Sequence, residues 1–410
     1  MKILIVGSGG REHAIGWKLS QDSRVKKMYF APGNGGTAAI GENVNLSVDS
    51  IDDLLAFAEK NNIDLTIVGP ELPLTLGIAD KFKAADRRIF GPSQHAAQLE
   101  GSKAFAKDFM RKHGIPTADY NVYTDAEEAL RAAENAKYPL VVKADGIAAG
   151  KGVIICENYA LARDALEGMM NAKRFGAAGN TVVIEEFMRG TEASVLCFTD
   201  GKTMKPMVAA QDYKRALDGD LGLNTGGMGS VSPAFAFTEA AESVFIKTVM
   251  NPTLAGIANM DYKGVLYFGL MINGSDVRVV EFNARFGDPE TEAVLLRLKT
   301  PLLDIIEAVC AGELDKVDIE WSDNPAICVV AALDGYPGKY KTGLPIEIGD
   351  TDGVQVFHAG TALKDGKTVT SGGRVFAVSA MAESLDAARC AVYNALENIT
   401  YEGIKYRRDL

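Results

Sequence analysis

Ile3–Val6 is a short apolar run that ends in Gly7-Ser8-Gly9-Gly10 and passes at once into a helical pattern, with Ala14, Ile15, Trp17 and Leu19 at its apolar positions. Strand, glycine turn and helix in immediate succession open a doubly wound α/β domain, because a parallel strand has to be followed by a crossover. Strand-like runs recur at Lys27–Phe30, Leu65–Val68 and Arg88–Phe90, with helical stretches at Ile51–Lys60 and Leu76–Ala85. The carboxyl ends of parallel strands line the ligand crevice of such a sheet. Gly9, Gly10, Arg11, the turn Gly33–Thr37 and Glu71 should therefore meet at one edge. A dinucleotide fingerprint fails here, since its third glycine would fall on Glu12. The glycine turn either closes the strand–helix connection or takes a phosphate on its backbone N–H groups, with Arg11 adding charge.

A chain of 410 residues, 47% hydrophobic and 24% charged, has the composition of a soluble globular protein of two to four domains. A net charge of −11 argues against nucleic acid or an anionic membrane as a general partner. Five cysteines without CxxC spacing read as reduced thiols of a cytoplasmic protein, not a disulfide frame or a zinc site.

A compact α/β unit begins near Thr117, after the break at Ile115-Pro116. Within it, the strand Pro139–Lys143 leads into Asp145–Gly152, a glycine-rich turn, and Val153–Cys156 returns as a strand. Gly146 and Gly150 enclose three residues, not the four of a Walker A loop, and Gly152 stands where Ser or Thr would be. The turn therefore reads as a hairpin flap over phosphates, with Lys143 and Lys151 as its cations, or else as a flexible hairpin. Thr181–Glu185 is a strand running into Glu186-Phe187-Met188. Phe187 and Met188 offer an apolar slot for a base, with Glu185 near the base and Glu192 for ribose hydroxyls. The alternative is an acidic turn between two strands. Gln211–Gly229 reads as a long polar loop carrying Asp212, Lys214 and Asn224-Thr225-Gly226-Gly227, and long loops in compact domains are often functional. A last small α+β unit starts near Asp323, where His358 and Arg374 read as structural more readily than as active-site groups.

Val277–Glu290 alternates like a strand. Strict alternation places Val277, Val279, Glu281 and Asn283 on one face and Arg278, Val280 and Phe282 on the other. A carboxylate and a carboxamide two residues apart suit Mg²⁺, which takes few protein ligands and completes its octahedron with water and phosphate. Arg285 extends the pattern by a step, and Asp288-Pro289-Glu290 turns the chain.

Taken together, these segments resemble the ATP-grasp ligases, and more narrowly the glycinamide ribonucleotide synthetase family. The resemblance rests on GSGGREHA (Gly7–Ala14), APGNGGT (Ala31–Thr37), IVGPE (Ile67–Glu71), QLEGSKAFAKDFM (Gln98–Met110) and KADGIAAGKGV (Lys143–Val153). It continues through IEEFMRGTEAS (Ile184–Ser194), QDYKR (Gln211–Arg215), NTGGMG (Asn224–Gly229), EFNARFGDPE (Glu281–Glu290), GYPG (Gly335–Gly338), FHAGT (Phe357–Thr361) and GGRV (Gly372–Val375), in family order over nearly the whole chain.

The resemblance implies an N-terminal α/β domain at 1–100, an ATP-grasp domain at 101–320 with a lid near 117–189, and a C-terminal α+β cap at 321–410. It implies that ATP, glycine and 5-phosphoribosylamine give glycinamide ribonucleotide, ADP and phosphate through glycyl phosphate. The implied ATP site comprises Lys103, Lys143, Gly146, Gly150, Lys151, Gly152, Glu185, Glu186, Phe187, Met188 and Glu192. Gly9, Gly10, Arg11, Glu12, Glu71, Asp212, Lys214, Asn224, Thr225, Gly226, Gly227, Asp288, Pro289 and Glu290 would hold phosphoribosylamine and glycine. Glu281 and Asn283 would hold Mg²⁺, or Mn²⁺ in its place, and Arg285 would stabilise the reacting carboxylate. Many ATP-grasp enzymes carry a further metal-binding acid on the preceding strand. Met271 reads as that position here, so water or a carboxylate such as Glu290 would complete the shell. The expected protein is a cytoplasmic monomer or weak homodimer. The rival readings are another ATP-grasp purine enzyme with a different acyl acceptor, and a nucleotide-binding protein or oxidoreductase built on the N-terminal sheet.

Overall fold

In a computed structural model of the chain, residues 1–147 and 152–410 are described. The first unit is the expected parallel sheet. Strands β1 (Lys2–Gly7), β2 (Lys27–Pro32), β3 (Glu42–Asn43), β4 (Leu65–Val68) and β5 (Ile89–Phe90) lie in the order β3-β2-β1-β4-β5. The order reverses beside β1, so the turn after it and the turn after β4 open on one crevice. Ile3, Leu4, Ile5 and Val6 are fully buried, with Leu4 and Val6 in one apolar cluster and Ile3 and Ile5 in another. A strand covered on both faces reads as a continuous apolar run, as β1 does. The helix expected from Leu76 starts at Ile78, because Gly77 is in the left-handed region (φ +87°) and ends the preceding turn. Glu71 instead opens a short helix of its own, Glu71–Thr75.

The second sheet is antiparallel: β6 (Tyr120–Tyr123), β7 (Leu140–Ala144), β8 (Val153–Cys156) and β9 (Val182–Glu186) in the order β6-β9-β7-β8. Strands β7 and β8 form the predicted hairpin, with Ala144 N–H donating to Gly152 O at 2.9 Å. The predicted cradle residues Gly150 and Lys151 lie outside the described residues. A third sheet joins β10 (Thr191–Thr199), β11 (Met204–Pro206), β16 (Gly264–Asn273) and β17 (Asp276–Asn283) in the order β11-β10-β16-β17.

Gln211–Gly229 is not one long loop. It contains β12 (Gln211–Asp212) and a hairpin of β13 (Arg215–Leu217) with β14 (Leu221–Asn224), and β15 (Gly229–Ser232) follows. Strands β12 and β15 join β18 (Ala326–Leu333), β20 (Gln355–His358) and β23 (Arg374–Met381) in the order β12-β15-β18-β23-β20 (β19, Glu347–Ile348; β21, Thr361–Lys364; and β22, Lys367–Thr370, lie outside it). The last unit is thus continuous with segments a hundred residues upstream. This is why Arg374, at the head of β23, lies against the 226–227 turn.

Strict alternation fails in β17. Glu281 pairs with Gly269 and Val279 with Leu270, so Val280 is an extra, bulged residue. Val277, Val279 and Phe282 all enter the apolar core with Phe268, Leu270 and Ile272 of β16. Glu281 and Asn283 still share a face, but it is the face opposite Val277 and Val279. The same register settles Met271: it stands opposite Arg278 and Glu192, whereas Gly269 and Tyr267 stand opposite Glu281 and Asn283. Met271 lies on the same face two residues beyond Gly269, one pair removed from Glu281.

Candidate active site

The face of β17 that carries Glu281 is strongly cationic. Burial alone pushes the Glu281 carboxyl up. The ammonium groups of Lys214, Lys143 and Lys103 and the guanidinium of Arg285 outweigh it and hold the carboxyl below its ordinary range. Glu281 is therefore an ionised acid among four cations drawn from four segments of the chain. Asn283 offers a second oxygen, and its Oδ1 accepts from Arg285 Nη2 at 3.3 Å. Two hard oxygens on one face fit a Mg²⁺-like ion that draws its other ligands from water and phosphate. Among the described residues no group of three Asp, Glu, His or Cys side chains converges on a metal-sized site. Glu290 Oε1 is engaged elsewhere, accepting from Ser194 Oγ at 2.9 Å.

Lys143 and Lys103 reach this face by different routes. Lys143, from β7, donates to Glu185 Oε2 at 2.9 Å and to the Val280 carbonyl at 3.2 Å. Lys103 opens the helix Lys103–Lys112 and donates to Gly146 O at 3.2 Å. Asp145 Oδ1 accepts from Ser102 Oγ at 2.9 Å and from Ala104 N–H at 3.1 Å, tying the base of the glycine turn to that helix. An open cleft of about 460 Å³ lies beside the base of that turn, lined in part by Gln98, Gly101, Asp145, Gly146 and Ile147.

Of the expected base slot, Glu185 is buried between Lys143 and Lys107, while Phe187 and Met188 are half-buried. Glu186 turns its carboxylate to Arg278 at 2.9 Å, so only its backbone is left for the slot. The Arg189 guanidinium lies 5.7 Å from the Phe187 ring centre. Glu192 meets Lys214 at 2.9 Å.

The crevice of the parallel sheet meets the chain just past the end of β17, at Arg285 and Phe286. Glu12 Oε2 accepts from Gly9 N–H at 2.6 Å, and Glu12 Oε1 meets Arg11 Nε at 2.5 Å. Arg11 Nη1 donates to Phe286 O at 3.1 Å. A Cβ on Gly10 would sit 2.6 Å from Glu292 Oε1, so the glycine turn packs closely against the helix Glu290–Arg297. Arg285 Nη2 meets Glu100 Oε1 at 2.9 Å, and its Nε lies 3.5 Å from Glu71 Oε2. Arg374 Nη1 donates to Gly226 O at 2.6 Å and meets Asp288 Oδ1 at 3.0 Å. Gly226 N–H donates to Tyr336 Oη at 3.0 Å. Thr225 Oγ1 donates to Lys214 O at 2.9 Å, and Asn224 pairs with Arg215 across the hairpin. Gly227 has φ +110°, and a Cβ there would strike Pro289. Asp212, against that glycine, has a buried oxygen without a partner among the described residues. Burial, then the Glu290 charge, pushes its carboxyl well up.

Sequence reasoning missed Glu100, Lys107, Ser194, Tyr267 and Glu292. Lys107 lies four residues after Lys103, one helical turn on, and that spacing was its available signal. Ser194 and Tyr267 are placed by strand register, and Glu100 and Glu292 by the packing of their helices, neither of which leaves a signal in the local sequence. Arg374, read as structural, holds two of the expected substrate loops.

Comparison with known proteins accounts for this arrangement. Family models for the N, ATP-grasp (A) and C domains of phosphoribosylglycinamide synthetase match residues 1–100, 101–291 and 326–410. The chain belongs to the phosphoribosylglycinamide synthetase family. Members of this family are enzymes with an ATP-grasp domain, and the order N, A, C agrees with the motif order in the sequence. The chain is 48% identical over 412 residues to a phosphoribosylamine–glycine ligase of Clostridium acetobutylicum, covering 100% of this chain and 99% of the relative. It is 49% identical to a protein of that name from Pseudomonas aeruginosa, covering 100% and 97%. The crystal structure of phosphoribosylamine–glycine ligase from Thermotoga maritima superposes with a TM-score of 0.87 at 33% identity, over 100% of both chains. A biotin carboxylase domain from Hydrogenobacter thermophilus, in complex with MgADP, shares the fold with a TM-score of 0.76 at 16% identity, over 99% of this chain and 91% of that one. No helix among the described residues is long and apolar enough to cross a membrane.

Proposed function

We propose that the chain joins glycine to 5-phosphoribosylamine, with ATP converted to ADP and phosphate, as a step of purine biosynthesis. The observation that carries this reading is the convergence of Lys103, Lys143, Lys214 and Arg285 on Glu281, with the acids Asp212, Glu290 and Glu192 gathered around the same Lys214. Such a site neutralises several anions at once, as transfer of a phosphoryl group to a carboxylate requires.

A glycine carboxylate oxygen attacks the γ-phosphorus, and the bond to the bridging oxygen of ADP breaks. The amine nitrogen of phosphoribosylamine then attacks the carbonyl carbon of glycyl phosphate. Phosphate leaves with the C–O bonding pair, and the nitrogen loses a proton. Lys103, Lys143 and Lys151 hold the phosphates, with the backbone of Gly146, Gly150 and Gly152. Phe187 and Met188 enclose the base near Glu185, with the Glu186 backbone, and Glu192 takes the ribose. Arg285 stabilises the carboxylate and its acyl phosphate. Gly9, Gly10, Arg11, Glu12, Glu71, Asp212, Lys214, Asn224–Gly227 and Asp288–Glu290 hold the two other substrates. Glu281 and Asn283 would hold a divalent ion, Mg²⁺ or Mn²⁺, which supplies charge neutralisation on the phosphates when bound. The hairpin β7–β8 excludes water from the acyl phosphate when it closes.

The working division is 1–100, 101–320 with a lid at 117–189, and 321–410. The protein acts as a cytoplasmic monomer or weak homodimer, with neither nucleic acid nor membrane as partner. The test is ADP release with phosphoribosylamine generated in situ from ribose 5-phosphate and ammonia. Release that requires glycine supports the reading, and release indifferent to glycine contradicts it.

A further inference from the structure

The Arg407 side chain is buried to 2% exposure and gathers several partners around one guanidinium. Its Nε and Nη2 donate to the two oxygens of Asp409 at 2.8 and 2.7 Å. Its Nη1 donates to Asp220 Oδ1 at 2.6 Å and to the Arg215 carbonyl at 3.4 Å. The guanidinium also lies 5.1 Å from the centre of the Tyr213 ring, within the range of a cation–π contact. The next two residues add to the hold. Arg408 N–H donates to Asp218 Oδ1 at 2.8 Å, and Asp409 Oδ2 accepts from Gly219 N–H at 2.8 Å.

Tyr213, Arg215 and Asp218–Asp220 all belong to the hairpin of β13 and β14 or lead into it. At its tip Gly219 and Asp220 are both in the left-handed region, at φ +67° and +55°. Asp220 is not glycine, and its strained backbone is held by the Arg407 contact. The hairpin pairs Arg215 with Asn224 and Leu217 with Leu221, and Leu217, Leu221 and Leu223 are exposed. A short two-stranded hairpin with its leucines in solvent is marginal by itself, so its position depends on what grips it from outside. Tyr213 packs against the apolar cluster of the last unit, whereas the adjacent Lys214 meets Glu192 at 2.9 Å. The Lys214 carbonyl accepts from Thr225 N–H at 2.8 Å, which ties this backbone to the 224–227 turn as well.

We propose that Arg407 is a positioning residue of the active site: by gripping Tyr213 and the Asp218–Asp220 turn, it fixes the backbone from which Lys214 reaches Glu192 and the Glu281 cluster. The inference rests on the ligase reading above and adds a residue that acts only through Lys214. Without Arg407, Asp220 and Asp409 are left as like charges with no cation between them. The turn then loses its anchor, and Lys214 loses its fixed place.

The test reads the hairpin and the reaction separately, on the whole chain. In hydrogen exchange followed by mass spectrometry, Arg407→Met should speed exchange over residues 213–224 by about tenfold or more and leave the helix Lys103–Lys112 unchanged. In glycine-dependent ADP release, kcat/KM for glycine should fall by about tenfold or more. Calorimetric binding of ATP alone should change by less than about threefold, because Lys103 and Lys143 come from other segments. In a Lys214→Met background the same substitution should cost about twofold or less, since the group it positions is already gone. Arg407→Lys keeps the charge but not the planar fork, and should recover only part of the loss. Asp220→Asn, at the exposed tip, should shift exchange and rate in the same direction by about threefold, and it carries the test if Arg407→Met does not fold. Wild-type exchange over 213–224 in both Arg407→Met and Asp220→Asn overturns the proposal, and so do wild-type rates alongside faster exchange. A loss of rate as large with Lys214→Met as without it also overturns it. A wild type whose ADP release is indifferent to glycine contradicts the ligase reading instead, which separates the two failures.

Discussion

Lys143 Nζ donates to the carbonyl of Val280 at 3.2 Å, at the residue where β17 slips register against β16. A bulge leaves one residue outside the ladder, and here its carbonyl takes a cation from a different sheet. The strand that carries Glu281 and Asn283 is thereby joined to the base of the glycine hairpin. Replacing Lys143 with Met should reduce kcat by about a hundredfold or more, the scale of one lost electrostatic contact to a transition state. The change in melting temperature should be small beside that, because the same substitution also frees Glu185 to pair with Lys107 alone. Initial rates of ADP release and a thermal melt check both halves.

Glu281 is held ionised by four surrounding cations. Glu281→Gln keeps the shape and removes the charge. It should raise the Mg²⁺ concentration for half-maximal rate by about tenfold or more, with the fold intact by circular dichroism. Asn283→Ala should act in the same direction. Unchanged Mg²⁺ dependence in both variants would remove these residues from the metal site.

His13 and His358 meet where the helix Gly10–Ser20 touches β20. His358 N–H donates to His13 Nδ1 at 2.9 Å, and the rings are 5.6 Å apart. Burial, and for His13 also the charge on His358, lowers these groups to about 3 and about 4. Both are neutral in the fold, whereas the unfolded chain takes up protons near 6.5. Their contribution is complete above that value and is lost as pH falls toward 4. At pH 5 His13 alone should cost about 2 kcal/mol. Urea midpoints at pH 7 and pH 5 measure the loss, and His358→Asn should make it smaller.

Glu292 shows the opposite sign. It is fully buried in the helix Glu290–Arg297, and neither carboxyl oxygen has a partner among the described residues. Burial, with Asp288 nearby, pushes its carboxyl well up. It folds as the neutral acid, so its contribution is complete below about pH 4.5 and is lost as the unfolded carboxyl ionises at higher pH. Glu292→Gln should therefore raise the melting temperature by several degrees at pH 8 and hardly at all at pH 4.5.

Much of this was legible in the sequence, for a physical reason. The β1 turn, the β7–β8 hairpin and the β16–β17 hairpin are set by local chemistry: apolar runs, glycines and the Asn273-Gly274 turn. What escaped depends on register and on distant pairing. The bulge at Val280 moves Val277 and Val279 off the Glu281 face, and strict alternation has no means of signalling it. Gln211–Gly229 lacks the apolar alternation of a strand, yet β12 joins a sheet through β15, which pairs with β18 from the far end of the chain, and β13 and β14 pair with each other. Arg374 looked structural because the Asp288 and Gly226 it holds lie 86 and 148 residues away.

Arg374 joins those two loops from the C-terminal unit. Arg374→Met removes the charge that holds Asp288 and the donor that holds Gly226 O. The KM for phosphoribosylamine should rise by about tenfold, with less effect on the KM for ATP, because the loops it organises carry residues proposed to hold phosphoribosylamine. Equal effects on both substrates would mean that Arg374 supports the fold generally and not those loops in particular.

The most direct test of the ligase reading follows the carboxylate oxygen. Glycine labelled with ¹⁸O in its carboxylate is turned over with ATP and phosphoribosylamine, and the released inorganic phosphate is analysed by mass spectrometry. A glycyl phosphate intermediate predicts one labelled oxygen in each phosphate released. Phosphate that carries no label, alongside continued formation of product, would contradict it.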